Sequence, residues 1–148
     1  MKVGIATDHN GVNEKKVLME YLKSEGYDVI DYSPINTPTD DYPKYAHKVC
    51  RAIQKGEIKY GVLMCGTGIG MAIAANKHKG IRCALASSPE EAKLARTHNN
   101  AQILAMSYKD DIDLIREMTG VFLSQDFSDE ERHIRRLKEI EEFEEDEY

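Results

Sequence analysis

The chain has 148 residues, of which 41% are hydrophobic and 31% are charged. This balance is typical of one globular domain, and no apolar run reaches the roughly 20 residues that a membrane-spanning helix needs. Seven of the 26 acidic residues lie within residues 139–148, so the rest of the chain carries 19 acids against 20 Lys and Arg residues. Composition and charge therefore exclude a disordered chain, a membrane span and the broad basic surface of a nucleic-acid-binding protein.

The predicted strands are, in chain order, "KVGIAT", "YDVIDY", "YGVLMC", "IRCALA" and "AQILAM". Helical spacing of apolar residues covers residues 13–26, 42–57, 68–80, 88–99 and 110–123. Gly26, Gly56 and Gly80 end three of these patterns, as a left-handed C-cap prefers. The alternation predicts a three-layer, Rossmann-like α/β fold in which residues 1–148 form one domain around a five-stranded parallel sheet.

A further helical segment follows Phe127 and gives the chain an acidic helical tail over residues 129–148. Its apolar positions Ile134, Leu137 and Ile140 form a narrow stripe that needs a covering surface, either the body of the same chain or another subunit. We expect this helix to extend to a partner subunit. The irregular segment 33–43, rich in Pro, Thr and Asp, is expected to form a wall of a site.

The cysteines and the N-terminus indicate the compartment. Cys50, Cys65 and Cys83 are odd in number and lack C-x-x-C spacing, which disfavours a disulfide framework or a zinc finger. The opening "MKVGIATDHNG" enters a strand at once and lacks the features of a signal peptide. We therefore expect a cytoplasmic protein with reduced thiols.

Ligands of such sheets bind at the carboxyl ends of the strands, which places the segments "TDHNG", "CGTGIG" and "SSPEE" at the candidate site. In "CGTGIG" the amides of a helix beginning near Gly68 can stabilise an anion, so this loop is a tight turn, an oxyanion site or a phosphate site. A dinucleotide fingerprint is disfavoured by Met71, which breaks the glycine spacing, and the Gly-Lys-Ser/Thr of a P-loop is absent.

Several titratable residues accompany this loop. Cys65 ends a strand facing the loop amides, whereas Cys50 and Cys83 fit small buried apolar positions. Asp8 is either a helix cap or, with His9, a group that handles protons or sugar hydroxyls.

His98 and Asn99 end a helix and can lie at either edge of the sheet. Arg132 and Arg136, one turn apart, either grip a dianion together or pair with surrounding acids. His47, His78 and His133 have no metal-ligand spacing, so no metal is expected.

The segments "TDHNG", "DDYPKYA", "CGTGIGMAIAANK", "GIRCAL", "ARTHNNAQILAM" and "ERHIRRL" together resemble the type B ribose-5-phosphate isomerases and their sugar-phosphate isomerase relatives. The resemblance covers nearly the whole chain in order. It implies an aldose–ketose isomerase that uses an enediolate and neither a metal nor another cofactor.

The resemblance also implies roles for individual residues. Cys65 would be the base that moves a proton between C1 and C2, and His98 the acid that assists ring opening. The enediolate oxygen would be stabilised by the loop amides and two side chains: Gly66, Thr67, Gly68, Ile69, Gly70 and Asn99. Asp8 would hold sugar hydroxyls, Tyr42 would wall the pocket, and the phosphate would be bound by His9, Arg132 and Arg136.

In this family two subunits share each active site, so His98, Asn99 and Lys109 are expected to approach Cys65 from a neighbouring chain of a homodimer or a dimer of dimers. Lys109 stands where many members have Arg, and Lys cannot form the bidentate fork with phosphate. Galactose-6-phosphate isomerases divide the catalytic residues between two different chains. Here one chain carries Cys65, His98 and both arginines, which favours a homo-oligomer.

The leading hypothesis is interconversion of ribose 5-phosphate and ribulose 5-phosphate. The enzymatic alternative is isomerisation of a hexose 6-phosphate such as allose or galactose 6-phosphate. A binding module that uses the same anion loop without catalysis is a different class. A cysteine phosphatase is disfavoured because Met71 occupies the place of its arginine.

Overall fold

The computed structural model describes residues 1 to 146 of the chain. The strands are β1 Lys2–Thr7, β2 Asp28–Asp31, β3 Tyr60–Cys65, β4 Cys83–Leu85 and β5 Ile103–Ser107. The helices are α1 Val12–Ser24, α2 Tyr42–Gln54, α3 Ile69–Asn76, α4 Pro89–Thr97, α5 Ile112–Ser124 and α6 Glu131–Glu145, and a short 3-10 helix covers His9–Gly11. None of the helices within residues 1–146 is long and apolar enough to cross a bilayer.

The five strands form one parallel sheet in the order β2-β1-β3-β5-β4, which confirms the predicted fold class. All six residues of β3 are buried, as expected for a central strand covered on both faces. Because side chains alternate along a strand, Val62 and Met64 pack on one face while Leu63 and Cys65 pack on the other.

The helices divide between the two faces. Helices α1, α4 and α5 cover one face with residues such as Leu18, Ala92 and Phe122, and α2 and α3 cover the other with Val49 and Met71. The predicted three-layer arrangement is therefore confirmed. Since α1 leaves β1 on one face and α3 leaves β3 on the other, a crevice opens between the carboxyl ends of these two neighbouring strands.

Backbone conformation explains where two helices stop. Gly26 and Gly56, with φ values of +91° and +76°, directly follow the C-caps of α1 and α2, which confirms these two predicted left-handed C-caps. The prediction for Gly80 is wrong, because α3 already ends at Asn76 and Gly80, at φ +76°, lies in a later turn. Asn100, at φ +45°, turns the chain from α4 towards β5. The predicted strands and helices agree with the observed ones to within a few residues at their ends.

Helix α6 packs on the body of its own chain through a face that differs from the predicted stripe. His133 and Leu137 are buried, whereas Ile134 and Ile140 are each 47% exposed. Near its end, Glu144 Oε1 accepts a hydrogen bond from the Gly80 amide at 2.6 Å. The last two residues of the predicted tail, 147 and 148, lie outside the described residues.

Candidate active site

Cys65 is the last residue of β3, and its thiol lies at the carboxyl edge of the sheet. Only 6% of the residue is exposed, and its Sγ accepts a hydrogen bond from the Gly68 amide at 3.2 Å. This contact turns the sulfur towards the loop that begins α3. Burial raises the pKa of Cys50 to about 12 and also raises the pKa of Cys83. Cys65 is the thiol that lies beside this loop.

Two glycines of this loop lie where a side chain would not fit. Gly68, the N-cap of α3, has φ +79°, and a methyl group there would lie 2.6 Å from Leu85 Cδ1 and 3.0 Å from the carbonyl carbon of Met106. At Gly70 a methyl group would collide with the ring of Tyr42. The Tyr42 ring therefore lies against the first turn of α3, and its role as a wall of the substrate pocket stays a prediction.

The loop hydroxyl and the helix start form a small polar surface. Thr67 Oγ1 accepts a hydrogen bond from the Ile69 amide at 3.1 Å, and Thr67 is exposed. The first amides of a helix have no partners within the helix and favour negative charge. The loop is thus able to stabilise an oxyanion beside the Cys65 thiol.

Asp8 follows β1 and lies across the crevice from this loop. Its Oδ1 accepts a hydrogen bond from the Asn10 amide at 3.0 Å, so Asp8 caps the 3-10 helix His9–Gly11. The predicted cap of the helix after Gly11 is wrong, because Gly11 itself is the N-cap of α1. The capping contact still leaves the second carboxylate oxygen for a ligand.

Tyr108 lies nearby and was not predicted as a site residue. Its ring would be 2.9 Å from a methyl group on Gly11, and its hydroxyl 3.5 Å from one on Gly66. Burial and the charge of Asp8 raise the pKa of Tyr108, which keeps its hydroxyl a hydrogen-bond donor.

His9 is held by a carboxylate that the sequence analysis also missed. His9 Nδ1 lies 2.9 Å from Asp40 Oδ1, and the His9 amide donates to the same oxygen at 3.2 Å. Asp40 belongs to the irregular segment that was expected only to form a wall. The Thr and Asp side chains before α2 indicated that this segment could accept hydrogen bonds. They did not indicate which residue after β1 the segment would contact.

Lys109 lies on the Cys65 side of its own chain. Its Nζ is 4.0 Å from the position of a methyl group on Gly66, and its amide donates to Ser107 Oγ at 3.0 Å. A neighbouring chain is therefore not needed to bring Lys109 to the Cys65 side, because the turn after β5 already places Lys109 near Gly66 of its own chain.

His98 and Asn99 lie at the opposite edge of the sheet. Cys65 is paired with Ser107 at the end of β5, whereas His98 precedes the start of that strand at Ile103. Along the strand direction, Cys65 and His98 are therefore separated by at least the length of β5, which is about 13 Å at 3.3 Å per residue. One chain therefore does not bring Cys65 and His98 together.

The predicted phosphate ligands are divided in the same way. His133 of α6 stacks on His98 with ring centroids 4.2 Å apart. Burial is the main cause that lowers the pKa of His133, and the neighbouring His98, Arg132 and Arg136 act in the same direction against Glu130. Both arginines of α6 thus lie near His98, away from His9. Arg132 Nε also pairs with Glu130 Oε2 at 3.1 Å, so the predicted pairing of Arg132 with a surrounding acid is confirmed.

Fold and crevice together define an open parallel α/β protein that presents an anion-binding loop and a thiol at its carboxyl edge. Residues 3–140 match the family described as Ribose/Galactose Isomerase. Ribose-5-phosphate isomerase B of Escherichia coli is 41% identical over 104 residues, which cover 70% of each chain. The chain belongs to the ribose/galactose isomerase family.

Two solved structures are similar over their whole length. Ribose-5-phosphate isomerase B of Clostridium thermocellum is 39% identical with a TM-score of 0.93, and the match covers 98% of both chains. The Mycoplasma genitalium enzyme with bound ribulose-5-phosphate is 36% identical with a TM-score of 0.93, covering 99% of this chain and 97% of that one.

Proposed function

We propose that the chain is an aldose–ketose isomerase that interconverts ribose 5-phosphate and ribulose 5-phosphate. The carrying observation is the buried Cys65 thiol at the carboxyl edge of β3, facing the Gly68 amide and the first turn of α3. Family membership supports the same reaction, since solved relatives with this fold are ribose-5-phosphate isomerases B.

In the proposed reaction Cys65 removes the proton from C2 of the open-chain sugar. The electron pair of that bond forms the C1=C2 double bond of an enediolate, and the negative charge moves to O1. The amides of residues 66–70, the Thr67 hydroxyl and the Asn99 amide stabilise this charge. Transfer of the O2 proton to O1 and return of the proton from Cys65 to C1 give the ketose, without a metal or another cofactor.

The remaining residues bind the substrate. Asp8 accepts hydrogen bonds from sugar hydroxyls, and His98 protonates the ring oxygen during ring opening. His9, Arg132 and Arg136 bind the phosphate, and Lys109 adds a positive charge beside Gly66.

We infer that each site is completed by a second copy of the chain. The supporting observation is that Cys65, Asp8, His9 and Lys109 lie at the carboxyl edge, whereas His98 lies at the amino edge next to α6. A homodimer, alone or within a dimer of dimers, would bring the two groups together and could cover the exposed Ile134 and Ile140 of α6. A thiol base must stay reduced, which places the active enzyme in the cytoplasm.

Two alternatives differ in substrate or in class. A hexose 6-phosphate, such as allose or galactose 6-phosphate, needs one more carbon of room between the loop and the phosphate ligands. A sugar-phosphate-binding module would need the loop and the cations but no base.

The test is an isomerase assay of the purified protein on ribose 5-phosphate, allose 6-phosphate and galactose 6-phosphate, with EDTA present. We expect the highest kcat/KM for ribose 5-phosphate. Cys65→Ala should lower kcat by about 10²- to 10⁴-fold, the usual contribution of a general base. Cys83→Ala, a matched thiol outside the site, should retain activity.

The outcomes separate the alternatives. Turnover of none of the three sugars by wild type would refute the isomerase proposal, and faster turnover of a hexose 6-phosphate would establish the larger substrate. Full activity of Cys65→Ala would exclude Cys65 as the base. Loss of activity on chelation would exclude a metal-free reaction.

A further inference from the structure

The carboxylate of Asp40 is enclosed by hydrogen-bond donors. Its side chain is 6% exposed. Oδ1 faces His9 Nδ1 at 2.9 Å and the His9 amide at 3.2 Å, and Oδ2 accepts from Asn36 Nδ2 at 2.9 Å, Tyr45 Oη at 2.9 Å and the Thr37 amide at 3.3 Å. Burial acts to raise the pKa of Asp40, but these hydrogen bonds outweigh it and lower the pKa well below its usual range. Asp40 is therefore an ionised acceptor.

A buried lysine fixes the direction of this network. Lys15 Nζ pairs with Asp31 Oδ2 at 3.1 Å and donates to Asn36 Oδ1 at 3.1 Å. Because an ammonium group only donates, Asn36 must turn its oxygen to Lys15. Its NH2 group then donates to the Thr7 carbonyl at 3.0 Å and to Asp40 Oδ2. The chemistry of the partners thus permits a single orientation of the Asn36 amide.

We propose that Asp40 is a positioning residue that keeps the proton of His9 on Nδ1 and leaves Nε2 as the atom that meets the sugar phosphate. An ionised carboxylate can only accept, so the nitrogen facing it must carry hydrogen. The His9 side chain is 35% exposed, and Nε2 is the ring nitrogen directed away from buried Asp40. The role of Nε2 towards substrate depends on the proposed isomerase function, whereas the position of the proton does not.

Two consequences follow for binding. With Nδ1 protonated, a neutral His9 offers Nε2 as an acceptor for a sugar hydroxyl. Protonation adds a donor at Nε2 for a phosphate oxygen without disturbing the contact with Asp40. The ring therefore keeps one orientation in both states, and the chain from Lys15 through Asn36 to Asp40 sets that orientation before substrate arrives.

Asp40→Asn tests this arrangement. Two donors that cannot reverse, Asn36 and the Thr37 amide, face Oδ2, against one, the His9 amide, that faces Oδ1. The new amide therefore turns its oxygen towards Asn36 and Thr37 and its NH2 towards His9, whose backbone amide loses its acceptor. Nδ1 must then accept, and the His9 proton moves to Nε2. Asp41→Asn is the matched control, because the neighbouring Asp41 is exposed and makes no side-chain capping hydrogen bond to α2.

The first readout is the nitrogen NMR spectrum of the His9 ring at about pH 8, where an ordinary imidazole is neutral. His9→Asn identifies the His9 signal among those of the five histidines. We expect a protonated Nδ1 in wild type and in Asp41→Asn, and an unprotonated Nδ1 in Asp40→Asn. An unprotonated Nδ1 in wild type would overturn the proposal even if Asp40→Asn did not fold.

The second readout is the KM for ribose 5-phosphate. We expect Asp40→Asn to raise KM by about tenfold or more, because the amide NH2 that faces Nδ1 prevents a second proton there and Nε2 then donates to the phosphate without a positive charge on the ring, with kcat changed by less than about threefold. Asp41→Asn should leave both constants unchanged. An unchanged KM in a folded Asp40→Asn with a shifted proton would refute the role in substrate binding. A wild-type protein inactive on every sugar phosphate would instead refute the isomerase function and leave the NMR result decisive for Asp40.

Discussion

Gly68 is the residue at which backbone conformation and close packing coincide with the proposed chemistry. Its φ of +79° would cost any other residue roughly 1–2 kcal/mol. Gly56 has nearly the same φ, +76°, but has no atom within 4 Å of a methyl group placed on it. We expect Gly56→Ala to lower the free energy of unfolding by about 1 kcal/mol, and Gly68→Ala by a further ~1–3 kcal/mol because its methyl group would strike Leu85 and the Met106 backbone.

Urea unfolding of both variants measures the difference, and the isomerase assay shows its functional effect. Gly68→Ala should also lose activity by about tenfold or more, since the Gly68 amide would shift away from Cys65 Sγ. Gly56→Ala should keep wild-type activity. Equal destabilisation of the two variants would contradict this prediction, because it would show that Leu85 and the Met106 backbone make room for the methyl group without loss of stability.

Residues whose role follows from local sequence could be predicted, and residues whose role depends on a distant contact could not. Cys65 and its glycines lie together in one strand–loop–helix segment, so their spacing sufficed. Asp40 meets His9 across 31 residues of chain, and only the folded segment between β2 and α2 reveals the pair. Tyr108 was missed for the same reason, since nothing near it in sequence indicates that it faces Asp8.

At the level of elements, α6 is only partly covered by its own chain. Of the predicted stripe only Leu137 is buried there, beside His133, while Ile134 and Ile140 stay exposed, so the packing of these isoleucines on a partner subunit stays a prediction. Because histidine is polar, a pattern of apolar residues at helical spacing does not place it on the buried face of a helix. Its burial depends on the His98 ring stacked on it and on Ser128 Oγ, 2.8 Å from its Nδ1.

Docking of α6 should therefore weaken in acid. Burial is the main cause that lowers the pKa of His133 below the ordinary 6.5, and His98, Arg132 and Arg136 add to it while Glu130 opposes it. The unfolded chain thus takes up the proton more readily than the folded one. This contribution to stability is fully present above about pH 6.5 and is lost as pH falls through the lowered pKa.

Hydrogen exchange of α6 amides at about pH 7.5 and about pH 5.5, corrected for the intrinsic rate, measures this effect. Wild type should show weaker protection of α6 at the lower pH, and His133→Gln should show the same protection at both. Equal pH dependence in the two proteins would assign it to another group.

At the scale of the whole molecule, the parallel sheet places two incomplete sets of ligands at opposite edges. The strand order and the residues at the carboxyl edge could be predicted, because each strand ends in a recognisable segment. The edge of the sheet at which His98 lies could not be predicted, since the position of His98 depends on the turn at Asn100 and on where α6 packs. Resemblance alone suggested a shared site, and the separation of His98 from Cys65 by the length of β5 gives that suggestion a geometric basis.

Mixing two inactive variants tests the shared site. In a dimer of one Cys65→Ala chain and one His98→Ala chain, one site receives both substitutions and the other receives neither. Random exchange of equal amounts makes half of the dimers mixed, so about one quarter of wild-type activity should return. Cys65→Ala mixed with a chain that carries both substitutions is the matched control and should stay inactive, because every site then lacks Cys65. If differently tagged chains exchange and activity does not return, each site lies within a single chain and the proposed dimer is wrong.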